Sequence, residues 1–193
     1  MNNVIATVVV LAATAILTLV WKAVVGLMRG NRVFLSIPMA AVDTDDERAA
    51  IKSRIDLLIQ TLEHRHGLDI YCAYTGVSGA FDPGRKAFIE CFREIRKCRY
   101  FVAILPSLMA TSAYVETGYA LAMKKDVLIM HASGALPYLL REIESAGFSL
   151  LGSRVSAKRL EVADFDAAVE RLKISGLEDF PGWAKSLRFS QKG

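Results

Sequence analysis

Tyr100-Phe-Val-Ala-Ile-Leu105, halted by Pro106, is followed by Tyr114-Val-Glu-Thr-Gly-Tyr-Ala-Leu-Ala122 and then by Val127-Leu-Ile-Met130. The first run is strongly apolar and ends at a proline, which reads as a buried strand. A helix is expected from about Ala113 to Lys124, and the third run reads as another strand. Strand, helix and strand in so short a stretch make a right-handed βαβ unit with parallel strands.

The same alternation extends to both sides. Upstream, Arg32–Met39 reads as a buried strand ending at Pro38. Thr44 followed by Glu47 is a capping-box pattern, and a helix should run from there to about His64. Its apolar positions Ile51, Ile55, Leu58, Ile59 and Leu62 share one face, and Gly67 stops it. Leu68–Tyr74 is a second strand, and Thr75–Gly84 is a loop with three glycines and a proline. A helix follows with Phe88, Cys91, Phe92 and Ile95 inward. Downstream, Leu136–Ser145 is expected as helix, a last strand lies near Arg159–Val162, and a helix covers Asp164–Lys173. The tail from Gly176 reads as irregular. The fold class is therefore α/β, a parallel sheet of about five strands with helices on both faces. In such a sheet ligands bind outside the carboxyl ends of the strands, which selects the loops after Met39, Tyr74 and Leu105.

The N-terminus is of a different kind. Val4–Met28 holds one charge, Lys22, in 25 residues. As a helix that stretch is about 37 Å long, against a hydrocarbon core of roughly 30 Å. Trp21 and Lys22 suit an interfacial aromatic and a snorkelling cation. The alternatives are a cleaved leader and a buried core helix. Met-Asn-Asn carries no basic residue, and the apolar run exceeds a typical leader core, so a retained anchor is expected. Arg29 and Arg32 follow the span and no basic residue precedes it, which places the rest of the chain in the cytoplasm. The organisation is then a transmembrane anchor over 1–30, an α/β domain over 31–175 and a tail over 176–193, and the protein is single-pass in the membrane.

The 193 residues carry a formal net charge of +4. Beyond Met28 there are 23 basic and 20 acidic residues, a mild excess without the footprint of a nucleic-acid binder. Cys72, Cys91 and Cys98 are odd in number and lack metal-ligand spacing; two of them read as small buried hydrophobes. His64 and His66 end a helix, where cations are favoured, and no metal site is expected. No Gly-rich phosphate loop of the Walker or dinucleotide type is present.

Glu116 is the residue with the most chemical promise. It lies at the carboxyl edge of the sheet, near the start of its helix. An acidic residue in a first helical turn also complements the macrodipole, so position alone leaves both readings open. Gly118 and Ala120 are small enough to let the helix approach the sheet or a ligand closely.

The run Tyr114-Val-Glu-Thr-Gly-Tyr-Ala-Leu-Ala, followed by Lys125-Asp-Val, resembles the glutamate-centred signature of nucleoside 2-deoxyribosyltransferases. The opening strand Val33-Phe-Leu-Ser36 is similar to the first box of TIR domains, which share the flavodoxin-like, Rossmann-like arrangement. The resemblance covers roughly Val33 to Ile129. It implies a flavodoxin-like sheet and chemistry at an N-glycosidic bond, with Glu116 as the catalytic carboxylate. Cleaving a base from ribose builds positive charge on the sugar, which a fixed carboxylate opposes or captures covalently. The implied activity is a membrane-anchored N-glycosidase with NAD or another nucleoside or nucleotide as substrate and no cofactor, acting in bacterial antiphage defence signalling. A non-catalytic self-associating signalling module and a nucleotide sensor are the other two readings. The implied partners are the bilayer through Val4–Met28, the nucleotide, and further copies of the chain in a homo-oligomer.

Two positions depart from the deoxyribosyltransferase pattern. Ala110 stands where that family has an aspartate, and Ser112-Ala113 where it has Gly-Thr. The first removes the family's base recognition and points away from transferase activity. Around Glu116, five residues are candidates for ligand contact. Ser36 ends the first strand, either as a contact to ribose or phosphate or as a plain strand-end hydroxyl. Asp82 is either a ribose or base ligand or an Asp-Pro turn and helix cap. Ser107 and Ser112 offer hydroxyls on the key loop, one of them as a helix cap. Tyr119 is an amphipathic neighbour of Glu116.

Overall fold

The computed structural model describes residues 30–38, 44–73, 85–106, 111–134, 136–141, 143, 149–150, 153–154 and 156–180. The expected span Val4–Met28 lies outside them. Among the described residues no helix is long and apolar enough to cross a membrane.

The α/β unit begins at Asn31. Its strands and helices are β1 (Arg32–Ser36), α1 (Asp45–His66), β2 (Asp69–Cys72), α2 (Arg85–Lys97), β3 (Tyr100–Leu105), α3 (Thr111–Ala122), β4 (Asp126–His131), α4 (Tyr138–Arg141), β5 (Ser149–Leu150), β6 (Ser153–Arg154), β7 (Ala157–Glu161) and α5 (Phe165–Ser175). Five strands form one sheet in the order β2-β1-β3-β4-β7. Every pairing in it is parallel. This is the flavodoxin-like α/β arrangement, in which the chain places β2 on one side of β1 and then crosses back to place β3 on the other. The crevice at such a reversal is where ligands bind, and here it lies between the carboxyl ends of β1 and β3.

The apolar strands are explained by burial on both faces. Along β1, β3 and β4 successive side chains alternate between two cores. Val33, Leu35, Tyr100, Val102, Ile104, Leu128 and Met130 pack with Ile55, Leu58 and Leu62 of α1 and Ala168, Val169 and Leu172 of α5. Phe34, Phe101, Ala103, Leu105, Val127 and Ile129 pack with Cys91 and Ile95 of α2 and Ala113, Ala120 and Leu121 of α3. Phe34 stacks on Phe101 with ring centroids 5.4 Å apart. This parity has a functional consequence. Ser36 shares the face of Phe34, so its side chain points toward α2 and α3.

Local signals fix the helices. Thr44 caps α1 by accepting from the Glu47 amide at 3.3 Å, and Gly67 closes it in the left-handed region at φ +64°. Asp164 caps α5 through the Ala167 amide at 2.8 Å. Lys125 donates to the carbonyls of Arg96 and Cys98 at 2.7 and 2.6 Å. The lysine of the glutamate-centred run thus closes the end of α2 rather than that of its own helix.

Several expectations need correction. The helix bearing Glu116 starts at Thr111, two residues early, and among the described residues of the helix expected over Leu136–Ser145, Leu136, Pro137 and Ile143 are not helical while Tyr138–Arg141 are. The antiparallel pair β5–β6 was not expected; two residues per strand are too few to leave an alternation pattern. Gly118 is exposed and a Cβ there would meet nothing, so it makes no close approach to the sheet. Ala120, fully buried, is the residue that lets α3 close on the sheet. Over Leu177–Phe180 the chain is irregular but packed: Leu177 and Phe180 are buried, and Phe180 meets the Tyr100 ring edge-on at 5.0 Å.

Candidate active site

Ser36 and Glu116 meet at the crevice between β1 and β3. Ser36, only 2% exposed, donates from Oγ to Glu116 Oε2 at 2.5 Å. The strand parity supplies the serine and the second turn of α3 supplies the carboxylate. Because α3 begins at Thr111, Glu116 is not in its first turn, which holds no acidic residue. The macrodipole account of this glutamate therefore loses its basis, since that effect falls off within the first turn.

Burial pushes the Glu116 carboxyl above its ordinary value, and hydrogen bonds from Ser36 and then Cys91 pull it down. Desolvation wins that competition. The Cys91 thiol is pushed up to about 12, first by burial, then by the charge of Glu116 and its hydrogen bond to it. It is a neutral donor. Tyr71, beside it on β2, is also pushed up to about 12, chiefly by burial.

Glu116 opens on a pocket of about 310 Å³ lined by Phe88, Cys91, Phe92, Thr111, Ser112, Val115 and Glu116 itself. That volume is at the small end of ligand pockets, roughly 300–1,000 Å³. Its walls are mostly apolar and aromatic, with one ionisable carboxylate at the edge. Phe88 was expected inward but is 53% exposed, because α2 reaches past the sheet edge there and its first turn borders the pocket instead of the core. Phe88 and Phe92 have centroids 4.1 Å apart.

Of the candidates read from sequence, Glu116 and Ser36 are in direct contact. Ser112 is exposed in the first turn of α3 and lines the pocket. Tyr119 does not reach the pocket. It stacks on Phe92 at 4.1 Å between centroids and 12° between planes, and its hydroxyl accepts from Arg96 Nε at 2.6 Å. It braces the pocket wall from behind. Asp82 and Ser107 lie outside the described residues. Cys91, Phe88 and Phe92 were legible as one helical stripe but not as site residues, because a stripe at 88, 91, 92 and 95 looks the same whether its upper end meets core or pocket. Among the described residues no group of His, Cys, Asp or Glu could hold a metal ion.

The chain is similar to two solved structures. One is the Clostridium botulinum CMP N-glycosidase BcmB, at 21% identity over 75% of this chain and 98% of that one, with a TM-score of 0.50. The other is the solution structure of BlsM, at 22% identity over 74% of this chain and 87% of that one, with a TM-score of 0.52. These likenesses agree with the flavodoxin-like α/β fold. No family model matches the chain, and no curated protein matches it.

Proposed function

We propose that the chain is an N-glycosidase acting on a nucleoside or nucleotide, with Glu116 as its reacting carboxylate. The observation that carries this reading is the Ser36–Glu116 contact at the wall of a largely apolar pocket, where the strand order reverses between β1 and β3. Such a carboxylate is held in place and partly stripped of water, so it acts strongly on charge developing nearby. In the proposed reaction Glu116 attacks the anomeric carbon, the bond to the base breaks with its electrons going to the base, and water then displaces the sugar from the carboxylate. The rings of Phe88 and Phe92, tilted by 52° to one another, offer apolar surface for the departing base.

Candidate substrates follow from two sources. The CMP N-glycosidase of similar fold makes a pyrimidine nucleotide the first to try, and the resemblance of the Glu116 motif keeps NAD beside it. The deciding experiment incubates the full-length chain with CMP, NAD and a nucleoside panel, and follows released base by chromatography. Release by wild type and none by Glu116→Gln supports the reading. Equal release by both, or none by either, removes it.

The finer proposals are a bilayer anchor through Val4–Met28 with the α/β unit in the cytoplasm, and a part in antiphage defence. Membrane fractionation with protease protection tests the first, and phage plating with wild type against Glu116→Gln tests the second. A second reading, a self-associating module, draws on the exposed apolar side chains Phe88, Ile89, Val115 and Met123 on α2 and just around α3. Sedimentation that finds only monomer at high concentration would count against it.

A further inference from the structure

We infer that Cys91 is a positioning residue for Glu116, its thiol and the Ser36 hydroxyl holding the carboxylate from two elements so that it faces the pocket. The inference rests on the reading of Glu116 as the reacting group. Ser36 approaches from the sheet, at the end of β1, and Cys91 from the neighbouring helix α2. A glutamate side chain has several rotatable bonds, and one donor leaves the carboxylate free to pivot about that contact. A second donor from another element removes the pivot, which is what a reacting oxygen requires.

The surroundings suit a thiol in this role. Cys91 is buried on α2, and it lines the same pocket as Phe88, Phe92 and Glu116. Its sulfur sits among apolar walls at less desolvation cost than a hydroxyl. The ionisable groups near it are Glu116, Glu90 and Cys72, all of which favour the protonated thiol, and Tyr71, itself held neutral. With its proton retained, Cys91 is a donor and not a nucleophile. Among the described residues, the burial of Glu116 is opposed by Ser36 and Cys91, and both are uncharged donors.

The test titrates Glu116 directly. Full-length protein labelled with carbon-13 at the glutamate carboxyl is followed by NMR against pH, with Glu116→Gln assigning the signal. Cys91→Ala, or Cys91→Val if alanine unfolds the chain, should move the Glu116 titration to higher pH, since a donor to the ionised form is lost. Cys91→Ser should leave it close to wild type. A titration unmoved in Cys91→Ala and Cys91→Val overturns the inference, even where those variants melt earlier. This readout does not depend on turnover, so a chain that releases no base removes the glycosidase reading and still decides the role of Cys91. Where base is released, kcat should fall on the order of ten- to a hundredfold in Cys91→Ala with KM nearly unchanged, as for a misplaced reacting group. Cys91→Ser should restore most of that loss.

Discussion

The Ser36 hydroxyl lies 2.5 Å from Glu116 Oε2 and joins the last residue of β1 to the second turn of α3, 80 positions along the chain. The hydroxyl can donate to the ionised carboxylate and so both orients it and favours its charge. A hydrogen bond to a charged group is worth about 1.5–3 kcal/mol. Ser36→Ala should therefore lower kcat/KM for base release on the order of ten- to a hundredfold, since about 1.4 kcal/mol is one decade. Steady-state rates with the substrate identified for wild type check this. A rate within twofold of wild type would reduce Ser36 to packing.

The same burial gives a pH signature. Glu116 has its folded-state value raised, so the ionised form is disfavoured in the folded chain relative to the unfolded one. Activity that needs the carboxylate should fall as pH drops through the raised value, with an acid limb above the ordinary range for glutamate. Stability runs the opposite way. Above the raised value the folded state bears the burial penalty of the charge, and below the unfolded value it does not. Glu116→Gln should melt higher than wild type at neutral pH, with the difference shrinking on acidification. Melting curves across the acid range decide it.

The nearness of Ser36 and Glu116 was legible in part: the rule that ligands gather at the carboxyl ends of parallel strands selects the loops that follow β1 and β3, and the motif around Glu116 singled out the carboxylate. The sheet itself was legible from the alternation of apolar runs and helices. Strand β3 has the limits its sequence announces, because Arg99 and Pro106 bracket six apolar residues. Cys91 was not legible as a site residue: its contact depends on how α2 packs against α3, and no local spacing encodes that. Tyr119 looked like a ligand neighbour by proximity to Glu116, yet a stack on Phe92 and a bond from Arg96 turn it away. Packing past Gly176 was hidden for a related reason. Leu177 and Phe180 are two isolated apolar residues without period, and only the face left open beside α5 gives them a place.

Asp179 ties that last segment down. It is 5% exposed and accepts from Arg171 Nε and an Arg171 terminal nitrogen at 2.6 and 2.8 Å, and from Lys158 at 3.2 Å. The Arg171 hydrogen bond is the main reason its carboxyl lies far below the usual carboxylate range. A depressed folded value contributes stability that is present above the unfolded value and lost as pH falls through the folded one. Asp179→Asn should melt below wild type at neutral pH, and the gap should close toward strongly acidic pH. A constant gap at every pH would assign the loss to packing instead of charge.

Two glycines should respond in opposite directions, and the pair separates backbone strain from function. Gly176 ends α5 at φ +52°, and a Cβ there would lie 2.6 Å from Nδ1 of His66, whose Nε2 already contacts the Lys173 carbonyl at 3.0 Å. Gly176→Ala should destabilise by at least about 1–3 kcal/mol, from the unfavourable φ and the displaced ring. Gly118 is helical, exposed and open around its missing Cβ. Gly118→Ala should stabilise by about 0.5–1 kcal/mol, because the unfolded chain loses freedom and the helix gains a better former. Denaturant titration measures both. The Gly118 variant also probes the proposed site, since this glycine stands two residues from Glu116 in the motif that suggested the chemistry. Unchanged base release from a more stable Gly118→Ala would mean that substrate leaves this part of α3 untouched. Greater stability with base release lost would mean that the sugar or base passes over the bare backbone at Gly118, and the pocket would have to extend along α3 beyond Glu116.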